Sequence, residues 1–221
     1  MGCKLQVEEI CSRVCSGGTP DRKTAEYYEG GEIPWLNTGE ISFNRVRSTN
    51  THITSKGLME SSAKWIQKNA VIVAMYGVTA GKAALAKIPL TTNQACCNLE
   101  IDDSVADYRY VYYWFKNQYS KVHGLANGGA QQNLSVKIIK SLTIDLPPLS
   151  SQREIAEILS TLDDKIELNN RTNDYLLSCA SSGYCGWQPF VSGPDSSGLH
   201  PRIPQSKGRL LLSCSQIPEA A

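Results

Sequence analysis

The chain has 221 residues, which suits one domain of ordinary size with an appendage, or two small domains. Its hydrophobic fraction of 41% supports a true core, and 22 lysines and arginines against 21 acidic residues leave no global basic signal, so any grip on a polyanion has to come from a local patch. No apolar run is long enough to span a bilayer and the N-terminus lacks a signal-peptide pattern, so a cytoplasmic chain with no membrane partner is expected.

In the first zone, residues 1–149, short strands alternate with turns and at least one helix. VEEICSRVCSGGTP starts with apolar residues at helical spacing (Val7, Ile10, Cys11, Val14) and ends at Gly17-Gly18, a natural helix stop. AVIVAMYG is a continuous apolar run closed by glycine, so Ala70 to Met75 reads as a buried strand. KAALAKI and ACCNLEI read as further strands. ADYRYVYYWFKNQYSKV carries Tyr108, Val111, Tyr112 and Phe115 at helical spacing, and IIKSLTIDLPPL closes the zone as a strand stopped by Pro147-Pro148.

The second zone, residues 150–177, reads as one long helix. Ser151 followed three residues later by Glu154 has the pattern of a capping box. Ile155, Leu159, Leu162, Ile166, Asn169, Asn173 and Leu176 then alternate steps of four and three, a heptad seam that is apolar first and polar later. About 27 residues at ~1.5 Å each give a rod of about 40 Å, longer than so small a domain can cover, so the helix is expected to project and pair with another helix. The third zone, residues 178–221, is rich in Ser, Gly and Pro without period and reads as an irregular or disordered tail. The heptad stops without C-terminal capping signals, which fits either a truncated or out-of-frame gene or a native tail.

The search for chemistry is mostly negative. The eight cysteines are expected to be thiols; Cys11 and Cys15, four apart, would share a helix face, and Cys96 and Cys97 would point to opposite sides of a strand. None of His52, His123 and His200 lies near a cysteine pair, so zinc spacing is absent. GVTAGK, Gly77 to Lys82, has three residues between its glycines where a phosphate loop needs four, and Ala83 stands where a magnesium-binding hydroxyl belongs; a turn between strands fits better. DLPPL is near the Asp/Asn-Pro-Pro-aromatic motif of amino-methyltransferases, but Leu146 and Leu149 occupy its informative positions. Asp163 and Asp164 are adjacent on a helix and point about 100° apart, so they do not converge on a metal and read as a solvated face.

What remains are polar and basic stretches at turns. NRVRSTNTHITSKG holds Arg45, Arg47 and Lys56, TTNQ holds Asn93 and Gln94, and NGGAQQN holds Asn127, Gln131, Gln132 and Asn133. Arginine reads guanine bidentately, Asn and Gln read adenine, and Lys, Ser and Thr hold phosphates, so these loops suit base reading. Each stretch alone fits an ordinary polar turn better.

Taken together, SGGTP (Ser16 to Pro20), EGGEIPWLNTGEI (Glu29 to Ile41), ITSKGLMESSAKWI (Ile53 to Ile66), AMYGVTAGKAAL, TTNQACCNLEI and QQNLSVKIIKSLTIDLPPLSSQREIAEILSTLDDKIELNN resemble, in order and spacing, a Type I restriction–modification specificity (S) subunit over about Leu5 to Leu177. The resemblance implies an α/β (α+β) target recognition domain with a mixed, mainly antiparallel sheet, followed by a long coiled-coil-type helix. It also implies a non-catalytic chain that reads one half of a split double-stranded DNA target. Methyltransferase (M) subunits would dock on the helix, and a restriction (R) motor subunit would complete the system. S-adenosylmethionine, ATP and magnesium would sit on those partners, none on this chain. Candidate DNA contacts are Thr19, Lys23, Asn44, Arg45, Arg47, Lys56, Tyr76, Lys82, Asn93, Gln94, Asn127, Gln131 and Gln132. A complete family member has two recognition domains and two helices; this chain has one of each. A homodimer through Ile155, Leu159, Leu162 and Ile166 would then read a palindromic split site. The alternatives are an interaction module that pairs with methyltransferase or S subunits without reading DNA, and an inactive truncated cassette.

Overall fold

The structure is a computed structural model that describes residues 2–126 and 133–181, with side chains to residue 179. Contacts divide the chain into two compact units, Met1–Asp174 and Tyr175–Ala221. The second unit enters the described residues only through Tyr175–Ser181, and all that follows concerns the first.

Its centre is the strand β7 (Val71–Ala74), whose four side chains are all buried. Two apolar faces on one strand require cover on both sides, and the neighbouring elements supply it. A five-stranded sheet runs in the order β2 (Cys11–Ser16), β10 (Cys96–Ile101), β7, β8 (Ala83–Ala86), β4 (Arg45–Val46). On one face Val71, Val73, Leu85, Cys97 and Leu99 pack against Val111, Tyr112 and Phe115 of helix α2 (Tyr108–Asn117), with Val122 of α3 (Tyr119–Ala126) and Ile139 of α4 (Val136–Lys140). On the other face Ile72, Ala74, Ala84 and Cys96 meet Leu36, Ile66 and Leu90. Those residues belong to a four-stranded sheet in the order β5 (Thr51–Ile53), β3 (Ile33–Leu36), β9 (Leu90–Thr92), β6 (Trp65–Ile66). The short helix α1 (Ser55–Met59) follows β5. The mixed, mainly antiparallel character holds, because only β3–β9 and β4–β8 are parallel. It is spread over these two sheets and a third ribbon, β1 (Cys3–Gln6) antiparallel to β11 (Thr143–Leu146).

The strands expected at Ala70–Met75, KAALAKI and ACCNLEI and the helix after Ala106 all form, and Cys96 and Cys97 do face opposite cores. GVTAGK is the β7–β8 turn, with Gly77 at φ 72° and Gly81 at φ 82°, a region where a Cβ is penalised.

Four expectations are corrected. First, residues 7–16 are not a helix: Val7–Ile10 forms a single 3₁₀ turn and then β2 begins. The apolar spacing is real, since Val7 and Ile10 are buried, but pairing with β10 outcompetes a second helical turn. A bulge at Ser12, where Glu100 opposes Arg13 and Ile101 opposes Cys11, moves Cys11 to the helix-covered face and leaves Cys15 on the other, so the two thiols do not share a side. Gly17-Gly18 is not a helix stop but a close approach: a Cβ at Gly17 would lie 2.2 Å from the Thr92 carbonyl oxygen. Second, Ile138 and Ile139 lie in α4, capped by Ser135, and the strand starts only at Thr143.

Third, the long helix α5 spans Leu149–Ser181, beginning before the expected capping box and running four residues beyond Leu177. The Pro148 carbonyl accepts the first helical bond from the Gln152 N–H (3.0 Å), so Pro148 holds the cap position, where its missing N–H costs nothing, and Ser151 lies inside the first turn. The anchoring residue is Gln152, 1% exposed. Its Nε2 donates to the Pro147 carbonyl (2.9 Å) and its Oε1 accepts the N–H of Asp107 (3.0 Å), the N-cap of α2. Fourth, Asp163 is not merely solvated; it accepts from Tyr113 Oη (2.9 Å) and Lys116 Nζ (3.4 Å), while Asp164 turns to Arg45.

Gln152→Ala would leave the Asp107 N–H and the Pro147 carbonyl without that partner, and is expected to cost about 1–3 kcal/mol in urea unfolding. A loss below about 0.5 kcal/mol, typical of a surface change, would contradict the anchoring role.

Candidate nucleic-acid interface and helix-docking face

The five-stranded sheet has two ends, and the candidate residues separate between them. At the end formed by the exit of β2, the entry of β10 and the β7–β8 turn, three loops converge. The Thr19 hydroxyl donates to the Gln94 side-chain oxygen, joining the loop after β2 to the turn before β10. The Met75 N–H donates to the Ala95 carbonyl (2.8 Å), and the Leu134 N–H to the Met75 carbonyl (2.9 Å). Tyr76 is exposed and forms a β-bridge with Asn133. Asn93 is half-buried; its Oδ1 accepts from the Ala95 N–H (3.2 Å) and holds the turn in shape. Thr19, Tyr76, Asn93 and Gln94 are therefore brought together. Lys23 and Lys82 stand on the same loops, and neither side chain has an ion-pair or hydrogen-bond partner among the described residues. Asn127, Gln131 and Gln132 lie outside the described residues, immediately before Asn133.

Arg45 and Arg47 are elsewhere, at the opposite end of the sheet against α5. Arg45 follows a tight segment in which Phe43 takes φ 57°, and Asn44 holds it by accepting the Ser42 N–H (2.9 Å) on its side chain. The Arg45 side chain is 10% exposed, and its guanidinium pairs with Asp164 and donates to the Ser160 carbonyl (2.9 Å). Arg47 donates from Nε and Nη2 to the two carboxylate oxygens of Glu167 (3.1 and 3.3 Å), and this holds the Glu167 carboxyl below its usual pKa. Arg109 pairs with Asp107 (3.1 Å) and Glu157 (2.6 Å), which raises its already high pKa. Lys116 approaches Asp163 (3.4 Å). Lys56 sits apart, at α1, paired with Glu26.

The docked side of α5 thus bears Gln152, Ala156, Glu157, Ser160, Asp163, Asp164 and Glu167, and the apolar seam faces another way. Leu162 and Ile166 are 54% and 57% exposed. With Ile155 and Leu159 they form one wall of an open groove of about 590 Å³ whose other wall is Tyr110, Tyr113 and Trp114 of α2. Sequence reasoning missed this second wall. The signal was present: YRYVYYWF places aromatic residues on both sides of a helix, and only one side, Val111, Tyr112 and Phe115, is needed for the core. It also missed Gln152, Asp107 and Arg109, for which polar residues near a helix start offer no distinctive pattern.

A family model described as Type I restriction modification DNA specificity domain matches residues 4–177. The chain is 31% identical over 188 residues to the Type I restriction enzyme MjaIX specificity subunit of Methanocaldococcus jannaschii, covering 80% of this chain and 42% of that one. It is 28% identical over 152 residues to the EcoR124I/EcoR124II specificity subunit of Escherichia coli, covering 66% and 37%. Its fold is similar to the crystal structure of the HsdS subunit from Thermoanaerobacter tengcongensis, with TM-score 0.58, 16% identity, and 77% of this chain and 39% of that one covered. A similar likeness holds to a Type-I restriction-modification S subunit from M. genitalium, with TM-score 0.55, 20% identity and coverage of 81% and 45%. The chain spans less than half the length of these relatives. With most of its length matched by the family model, the chain belongs to the Type I restriction modification DNA specificity domain family.

Proposed function

We propose that the chain is a non-catalytic specificity subunit with a single recognition domain, which reads one half of a split double-stranded DNA target and presents α5 to methyltransferase subunits. A motor subunit for restriction would join the same assembly, and S-adenosylmethionine, ATP and magnesium would be held by those partners. The observation that carries this reading is the two-sided use of α5: a charged side docked on the domain and an exposed apolar seam at Ile155, Leu159, Leu162 and Ile166. A reader and a partner-holding helix joined in this way transmit position from one to the other. The cytoplasm is the expected place of action; among the described residues no helix is long and apolar enough to cross a membrane.

Base reading is assigned to the loop end of the sheet. Lys23 and Lys82 serve phosphates there, and Gln94, held by Thr19, presents its amide to a base edge, with Asn93, Tyr76 and Asn133 beside it. Arg45, Arg47 and Asn44 act at the helix dock and affect DNA through the position of α5, and Lys56 contributes at most a peripheral phosphate contact. The seam pairs with that of a second copy, and the resulting dimer reads a palindromic split site. One observation favours a second reading: with Arg45 and Arg47 engaged by α5, fewer cations face outward, as expected of a module that pairs with methyltransferase or S subunits without reading DNA. Methylome sequencing of cells that co-express the chain and a methyltransferase subunit separates the two, since a defined methylated motif supports the first reading and copurification without a motif supports the second.

In the assembled methyltransferase, Lys23→Ala is expected to weaken duplex binding for all sequences and lower the salt slope by about one. Gln94→Ala is expected to relax choice at one position by about 1–3 kcal/mol. Unchanged affinity and site choice for both would overturn the loop assignment. Leu162→Glu is expected to convert a dimer to monomer in analytical ultracentrifugation at tens of micromolar; wild-type protein that is already monomeric there would remove the dimer from the account.

A further inference from the structure

Between β8, α2 and the docked side of α5 lies a cleft of about 390 Å³ that the assignments above do not use. Its lining carries five cations (Arg45, Arg47, Lys68, Lys87, Arg109) and two carboxylates, Glu157 and Asp164, and Glu167 and Asp107 beside it also pair with its arginines. The three arginines are paired; Lys68 and Lys87 have no carboxylate within ion-pair distance among the described residues, and Lys87 meets only the face of Tyr108, 5.9 Å from the ring centre. Burial, reinforced by the Arg45 and Arg47 charges, pushes the Lys87 pKa below the usual lysine value.

We propose that this cleft binds a phosphate group, whose oxygens accept from the Lys87 and Lys68 ammonium groups. The volume accommodates a small phosphorylated ligand as well as a single backbone phosphate of a nucleic acid. The assignment does not depend on base reading by the loops at the other end of the sheet.

The test is thermal unfolding of the full chain in increasing sodium phosphate, against sodium chloride at matched ionic strength, together with the salt dependence of duplex DNA binding. A free phosphate ligand gives a saturable rise in Tm that Lys87→Met abolishes. A DNA phosphate gives no saturable rise, but Lys87→Met lowers the salt slope of duplex binding by about one. Lys68→Met changes an exposed side chain, so it is expected to leave the Tm in chloride unchanged while weakening whichever response the wild type shows; it also keeps the test decisive if Lys87→Met does not fold. A phosphate response identical in wild type and both variants, as preferential exclusion of the salt would produce, together with an unchanged salt slope, would overturn the site.

Discussion

The Gln152 side chain accepts from the N-cap residue of α2 and donates to the carbonyl at the end of the last strand, and everything beyond it inherits that geometry. A primary amide suits the position because it offers a donor and an acceptor on one rigid plane. Buried and satisfied at both ends, it fixes the azimuth at which α5 leaves the domain, and with it which side of the helix meets Arg45, Arg47 and Arg109. The ion pairs farther along are weaker individually. Arg47–Glu167, Arg109–Glu157 and Lys116–Asp163 involve partly exposed groups and are each worth about 0–1 kcal/mol. Arg45 differs, because its side chain is nearly inaccessible and loses much more if its partner is removed.

The same arrangement explains why an amphipathic helix presents its apolar side outward. The recognition domain meets α5 through charge and hydrogen bonds, an interface that is specific in orientation but buries few of the helix's apolar side chains. The seam is left beside Tyr110, Tyr113 and Trp114, an apolar groove built by two elements of one chain. A partner helix entering it would contact both the spacer and the domain, so the choice of partner and the orientation of the reader become one structural question. The opposite end of the sheet carries the loops of Thr19, Tyr76, Asn93 and Gln94, and loops held on a rigid scaffold are where binding residues are commonly found.

The sequence made the central layer plain. Val71–Ala74, Ala83–Ala86 and Cys96–Ile101 are strands whose composition leaves little alternative, and the heptad after Pro148 declares a long helix. Legibility failed where two patterns coincide. Val7, Ile10, Cys11 and Val14 fit a helix, but a 3₁₀ turn followed by a bulged strand places the same residues indoors. The capping-box pattern at Ser151 and Glu154 was displaced by a proline cap three residues earlier. For the site, residue type was informative and position was not. Thr19, Tyr76, Asn93 and Gln94 converge, but Arg45 and Arg47, offered beside them as base readers, are held by carboxylates 119 and 120 residues along the chain. No local pattern encodes a contact of that separation.

The recognition domain holds α5 through the charged side of the helix, with Arg45 as the least accessible member. A double-mutant cycle on Arg45→Ala and Asp164→Ala, read by urea unfolding of the full chain, addresses it directly. A coupling energy of about 1–2 kcal/mol is expected, well above that of an ordinary surface pair. Additive effects within about 0.3 kcal/mol would contradict it, because the two residues would then act independently.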